Sequence, residues 1–113
     1  TAPPPALAHA TAESIRLIRS KLGDERRAAL WANVNALDTA LNHDQPSQSA
    51  IIPHIVGDSR LALELSRQLL DEHGLLVPAI RFPTVPRNSA RLRITLSALH
   101  QADHIEALTS ALD

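Results

Sequence analysis

Residues 79–98, AIRFPTVPRNSARLRITLSA, constrain this chain more than any other stretch. They join a loop held by prolines, residues 81–86, to a strand that alternates strictly over residues 91–97. Leu92, Ile94 and Leu96 fall on one face of that strand. Arg91, Arg93, Thr95 and Ser97 fall on the other, because successive side chains point to opposite sides. An arginine in mid-strand, opposite an apolar stripe, is costly to cover unless an anion meets it. Its planar fork suits a carboxylate held by two parallel hydrogen bonds. Spacing alone also fits a plain surface arginine on the solvated side of an antiparallel sheet. Arg91 and Arg93 repel each other on one face, which favours the bound anion.

The rest of the chain reads as helices and two further strands. Pro3, Pro4 and Pro5 open a helix over residues 6–22, since proline is tolerated in the first turn. Its Leu7, Ile15, Ile18 and Leu22 lie roughly on one side. Gly23 and Asp24 punctuate it. A second helix follows over residues 25–42, with Leu30, Val34, Leu37 and Leu41 at i, i+4, i+7 and i+11. Residues 43–49, HDQPSQS, are a loop by composition. Residues 51–56 read as a strand, and Pro53 points to an edge position or a strand start. Asp58 or Ser59 caps a helix over residues 60–73, whose stripe is Leu61, Leu65 and Leu69. Gly74 is placed to end that helix. Residues 75–80 read as a short strand. The last helix covers residues 101–112, with Ile105, Leu108 and Leu112 in register. The order α-α-β-α-β-β-α predicts an α+β fold. It is a three-stranded, mostly antiparallel sheet covered by helices on one face and preceded by two helices. The face bearing Arg93 is left for something else.

Bulk composition narrows the function. The 113 residues suit one small domain. Aromatics are only Trp31 and Phe82, so the core must be Leu, Ile, Val and Ala. Eleven basic and twelve acidic residues are mixed, with a net charge of −1. That argues against a nucleic-acid platform, which wants a basic stripe and stacking aromatics. No apolar run is long enough to span a membrane, and no signal-peptide pattern occurs. Zero cysteine excludes disulfides, thiolate metal sites and a cysteine nucleophile, and it fits a reducing compartment such as the cytoplasm.

Other candidate chemistry is thin. Of the six histidines, His100 and His104 are four apart and could share a helix face. No Glu-x-x-His or His-Glu-x-x-His pattern accompanies them, so no metal site is expected. They read as surface or capping residues, and His9, His43, His54 and His73 as structural. Thr84, between Pro83 and Pro86, is either a hydroxyl held ready for a ligand or part of a plain turn. No Gly-rich phosphate loop, nucleophile elbow or acid/base pair is present. The only lysine, Lys21, sits in a polar helix end, whereas a Schiff-base lysine wants a dry or cationic pocket. The chain by itself contains no active site. It also lacks methionine and begins Thr-Ala-Pro-Pro-Pro, which predicts a piece of a longer polypeptide.

These residues carry a resemblance. Ala79-Ile80-Arg81-x-Pro83-Thr84-Val85-Pro86, followed by Ala90-Arg91-Leu92-Arg93-Ile94-Thr95-Leu96-Ser97-Ala98-x-His100, resembles the C-terminal domain of the α-oxoamine synthases. These are pyridoxal-phosphate acyltransferases of the type I aminotransferase fold. Thr1 to Ala6 resembles the segment after the cofactor lysine, and Ile55-Val56-Gly57-Asp58-Ser59-x-x-Ala62-Leu63 the first strand and helix of the small domain. The Ile-Arg-x-Pro-Thr-Val-Pro string points to the branch that condenses L-alanine with a pimeloyl thioester, with decarboxylation, in biotin biosynthesis. Relatives such as aminolevulinate synthase, aminoketobutyrate ligase and serine palmitoyltransferase share the arginine strand but usually differ in this loop. The sequence departs at Phe82, where proline is frequent, and at Asn88-Ser89, where glycine followed by Ser or Thr is usual. The loss of that glycine predicts a slightly different turn.

The resemblance implies substrate-binding roles for Arg93 (the amino-acid carboxylate), Thr84 (substrate contact in the loop) and Arg81 (near the acyl-substrate entrance). It implies that pyridoxal 5′-phosphate is bound mainly by a large domain lying upstream. It implies a homodimer, with residues 1–45 as a helical link and residues 46–113 as the small domain, inactive in isolation. The first helix should then pack on that large domain, leaving Leu7, Ile15 and Ile18 exposed in this chain. The acyl partner is a thioester of coenzyme A or of a carrier protein. A different acyl or amino-acid pair is the nearest alternative. A stand-alone module that binds a small carboxylate or mediates assembly is the alternative of another class.

Overall fold

The computed structural model describes residues 2–113; Thr1, the first residue of the proline-rich opening, lies outside them. Helix α1 (Pro5–Ile18) leads to α2 (Lys21–Ala40), then strand β1 (Ile51–Gly57), α3 (Ser59–His73), β2 (Ala79–Ile80), β3 (Ala90–Thr95) and α4 (Ala102–Leu112). Pro4 caps α1 and Pro5 occupies its first turn, as the proline run predicts. The three strands form one wholly antiparallel sheet in the order β1-β3-β2. Pro53 stands on the edge strand β1, opposite Arg93. An edge is where proline's missing N–H does least harm to the ladder.

The core lies on one face of the sheet. Leu92, Ile94 and Leu96 of the β3 segment, with Ile52 of β1, meet Leu69 of α3, Val34 and Leu37 of α2, and Ile105 and Leu108 of α4. All of these are buried, and none is aromatic. The stripe of α2 is therefore as its spacing predicts. On α3 the buried positions are Ala62 and Leu69, while Leu61 is 57% exposed. The face of α3 is set by Ala62, Leu65, Ser66 and Leu69, one residue round from the predicted stripe. Ser66 contributes a hydrogen bond from its hydroxyl to the Val77 carbonyl, 2.6 Å.

Three boundaries differ from the sequence reading. The chain breaks after Ile18 rather than at Gly23, and Gly23 lies inside the first turn of α2. A Cβ there would stand 2.0 Å from the Ile18 carbonyl oxygen. Glycine serves close approach between the two helices, not punctuation. The strand expected over residues 75–80 shrinks to Ala79–Ile80. Pro78 has no N–H for the ladder and only its carbonyl pairs, accepting from Arg93 N at 2.8 Å. Strand β3 begins one residue earlier than expected, at Ala90, and ends at Thr95.

Caps fall where the chain signals them. Asp58 accepts from Arg60 N and Leu61 N, both 2.9 Å, at the start of α3. Gly74 ends it at φ +67, with Gly74 N on the Leu70 carbonyl and Leu75 N on the Leu69 carbonyl.

Candidate functional site

The uncovered face of the sheet carries the candidate residue Arg93. Alternation puts Arg91, Arg93 and Thr95 of β3 there, opposite Ile55, Pro53 and Ile51 of β1. Ile80 of β2 pairs with Arg91 and completes the row. Ile51 and Ile55 are more than half exposed. Arg93 thus stands in the middle strand among isoleucines and prolines. Among the described residues its guanidinium has no hydrogen-bond or ion-pair partner. Arg91 differs, because its Nε donates to the Ser89 carbonyl at 3.1 Å. That tether turns Arg91 toward the loop, and Arg93 is the free cation of the pair.

The loop before β3 is built by its prolines. The Phe82–Pro83 peptide is cis, and Thr84 N donates to the Arg81 carbonyl at 3.0 Å, closing a tight turn. Arg81 and Thr84 therefore belong to one turn with both side chains exposed. No hydrogen bond among the described residues joins them to Arg93. Asn88 holds φ +58, the left-handed backbone glycine would take. Asparagine is among the few side chains that tolerate it. The turn into β3 keeps that geometry without glycine. Arg87 lies over the Phe82 ring, 4.7 Å from guanidinium carbon to ring centre. Sequence spacing gave no hint of that pair, because the loop must fold back before they meet.

His100 and His104 are spent on backbone. His100 Nδ1 accepts from Ser97 N at 2.9 Å, and His104 Nδ1 accepts from Gln101 N at 3.1 Å. An N–H can only donate to a ring nitrogen that carries a lone pair. Both histidines are caps of the turn into α4, in line with their sequence reading. Asn33 of α2 binds the same turn, donating to the Ser97 and His100 carbonyls at 3.0 and 2.9 Å. A cavity of about 280 Å³ beneath them is lined by Leu75, Val77, Ile94, Ile105 and Leu108. His100, His104 and Thr95 also line it. No group of three metal-ligating side chains occurs among the described residues.

Asp38 is the buried charge that the sequence did not single out. It accepts from Ser47 N at 2.7 Å, Ser47 Oγ at 2.6 Å and His43 Nδ1 at 2.8 Å. Burial pushes its carboxyl up. The Ser47 hydroxyl and amide and the His43 ring outweigh that and hold it below the ordinary aspartate value. The trio ties the loop of residues 43–49 to the end of α2. Lys21 is on the helix surface, its side chain 91% exposed and 3.7 Å from Glu25. No described helix is long and apolar enough to cross a membrane.

The chain is similar to proteins already known. The chain is 48% identical to 8-amino-7-oxononanoate synthase of Polaromonas naphthalenivorans, over 99% of this chain and 30% of that protein. It is 44% identical to the Burkholderia cenocepacia protein of the same name, over 99% of this chain and 28% of that one. It thus spans about 30% of the length of the curated relatives it matches. Among solved structures, a serine palmitoyltransferase of Sphingomonas wittichii is 35% identical with a TM-score of 0.76, over 88% of this chain and 26% of that chain. The 8-amino-7-oxononanoate synthase of Francisella tularensis has a TM-score of 0.77 at 23% identity, over 99% of this chain and 34% of that chain, which is a likeness of fold. The family model for aminotransferase class I and II matches residues 1–112. The chain belongs to the class I and II aminotransferase family.

Proposed function

We propose that this chain is the carboxylate-holding small domain of a decarboxylating acyltransferase of the 8-amino-7-oxononanoate synthase type. The full reaction condenses L-alanine with a pimeloyl thioester. Carbon dioxide and the thiol carrier leave. Residues 46–113 form the small domain, and residues 1–45 link it to the rest of the enzyme, which works as a cytoplasmic homodimer. The observation that carries this reading is Arg93, a cation without a partner on the uncovered face of the sheet, among side chains that offer it no acceptor.

Each residue has a physical task. Arg93 takes the alanine carboxylate in its fork, which fixes the orientation of the amino acid. Thr84, on the turn closed by Arg81 and Thr84 N, offers a hydroxyl to the same substrate. Arg81 lies where the acyl chain enters. The isoleucines flanking Arg93 keep the paired carboxylate dry, which strengthens the contact.

Pyridoxal phosphate serves such enzymes as an electron sink for the carbanion. The described residues do not fit its covalent anchor. Lys21 is solvated and paired with Glu25. The cofactor is held elsewhere in the enzyme, and this chain's groups act on the substrates. The 35% identity to a serine palmitoyltransferase supports the wider class, an amino acid joined to an acyl thioester.

A graft tests the reading. These 113 residues replace the matching part of the Polaromonas naphthalenivorans relative. A soluble graft should form product from L-alanine and pimeloyl-coenzyme A. A graft that folds and binds cofactor yet makes no product from any amino acid and acyl thioester overturns it. The chain is then a carboxylate-binding or assembly module.

A further inference from the structure

The near-neutral total charge hides a segregation. No Asp or Glu occurs between Asp44 and Asp58, nor between Glu72 and Asp103. Those two segments supply all three strands and the loop between β2 and β3. They carry Arg81, Arg87, Arg91 and Arg93. None of the four forms an ion pair among the described residues. Like charges with no counter-ion raise the local potential and invite anions.

The four cations are not equivalent. Arg93 is on the strand and is assigned above to the amino-acid carboxylate. Arg91 is tethered to Ser89. Arg81 precedes the closed turn. Arg87 stands at the exposed far side of the loop, seated on Phe82. That seat favours the rotamers that keep the guanidinium on the ring and its planar fork at the loop surface. Its N–H donors have no protein acceptor among the described residues. A planar fork of this kind matches phosphate oxygens.

We propose that Arg87, ordered by Phe82, binds the phosphate groups of the thioester's carrier. This rests on the function proposed above and names the half of the acyl substrate that the chain reads. A phosphate ester is common to coenzyme A and to the pantetheine arm of a carrier protein. Arg87 reads that group and not the acyl chain.

The test uses the graft with three acyl donors: pimeloyl-coenzyme A, pimeloyl carrier protein, and the pimeloyl thioester of N-acetylcysteamine, which has no phosphate. Arg87→Ala should raise KM for pimeloyl-coenzyme A roughly five- to tenfold and weaken its salt dependence, with kcat and the alanine KM retained. The N-acetylcysteamine thioester should be unaffected. A matching loss with the carrier protein assigns the shared pantetheine phosphate, and a loss with coenzyme A alone assigns its adenosine phosphates. Arg87→Lys should keep part of the effect, and Phe82→Leu should lose part of it. An unchanged KM for both phosphate-bearing donors overturns the proposal. So does an equal rise for the N-acetylcysteamine thioester. If the graft folds and binds cofactor but has no turnover, the proposed function is what fails. Arg87 is then judged by titrating coenzyme A, which carries both kinds of phosphate and whose affinity must fall in Arg87→Ala for the inference to stand.

Discussion

Arg93 and Asp38 are opposite solutions to placing a charge in a small domain. Arg93 is held out on the open face with nothing to meet it. Asp38 is 7% exposed and fully answered by Ser47 and His43. A charged hydrogen bond contributes about 1.5–3 kcal/mol. In the active graft, Arg93→Ala should therefore raise the alanine KM roughly ten- to a hundredfold, read from initial rates against alanine concentration. Arg93→Lys should recover part of it, since charge returns but the fork does not. An alanine KM unchanged in Arg93→Ala would remove the carboxylate role. For Asp38 the sign follows from a lowered native value. Its contribution is complete above the ordinary carboxylate value of about 4 and fades as pH falls below it toward the native value. Asp38→Asn should lower the urea midpoint at pH 7, by about 1–3 kcal/mol of stability. It should also flatten the loss of stability as pH falls below about 4. Parallel pH profiles for the two proteins would refute this. Arg93 was legible because alternation over seven residues fixes its face. Asp38 was not, because its partners arrive from a loop whose path no spacing rule gives.

Elements were easier to read than their ends. The order of four helices and three strands follows from periodicity, and Pro53, Asp58 and Gly74 each mark a local backbone need. The α1–α2 junction was misplaced because a Gly-Asp pair looks like a turn signal. Here glycine is chosen for contact. Gly23 lets the first turn of α2 approach the Ile18 carbonyl, to which Arg27 Nη1 also donates at 2.7 Å. Gly→Ala inside a helix ordinarily stabilises by about 0.5–1 kcal/mol. At Gly23 the sign should reverse, with a loss of about 1–3 kcal/mol from overpacking against backbone. Urea unfolding measures it, and faster tryptic cleavage after Arg19 would locate the opening. A stabilised Gly23→Ala protein would show that the junction yields freely. The short β2 teaches the same limit. Leu75, Val77 and Ala79 look like one strand face, yet the missing N–H of Pro78 cuts the ladder, a local veto on a correct pattern.

At the scale of the molecule, shape and surface single out a helix with an apolar stripe that nothing among the described residues covers. A compact chain of this length has a radius of gyration of about 13 Å. This one has 17.2 Å and extends 46 Å along its longest axis. Helix α1 has no buried residue. Leu7, Ile15, Leu17 and Ile18 are each between 43% and 58% exposed. Leu17, Ile18, Leu22, Leu30 and Ala98 line an apolar groove of about 380 Å³ beside it. Amphipathic spacing made this helix legible. What it faces was not, since the stripe has no counterpart within these residues. Apolar surface left in water drives association, and contiguous patches of this kind mark contact sites. The 113-residue chain should therefore self-associate as its concentration rises, seen as a growing mass in sedimentation or light scattering. Ile15→Glu with Ile18→Glu should keep it monomeric. The unfolding midpoint should move little, because neither side chain is buried and exposed substitutions usually cost under about 0.5 kcal/mol. The same pair placed in the graft should impair its assembly or solubility, because there the stripe should have a partner. A wild-type chain that stays monomeric, or a graft indifferent to both glutamates, would show that α1 is built to stand in solvent.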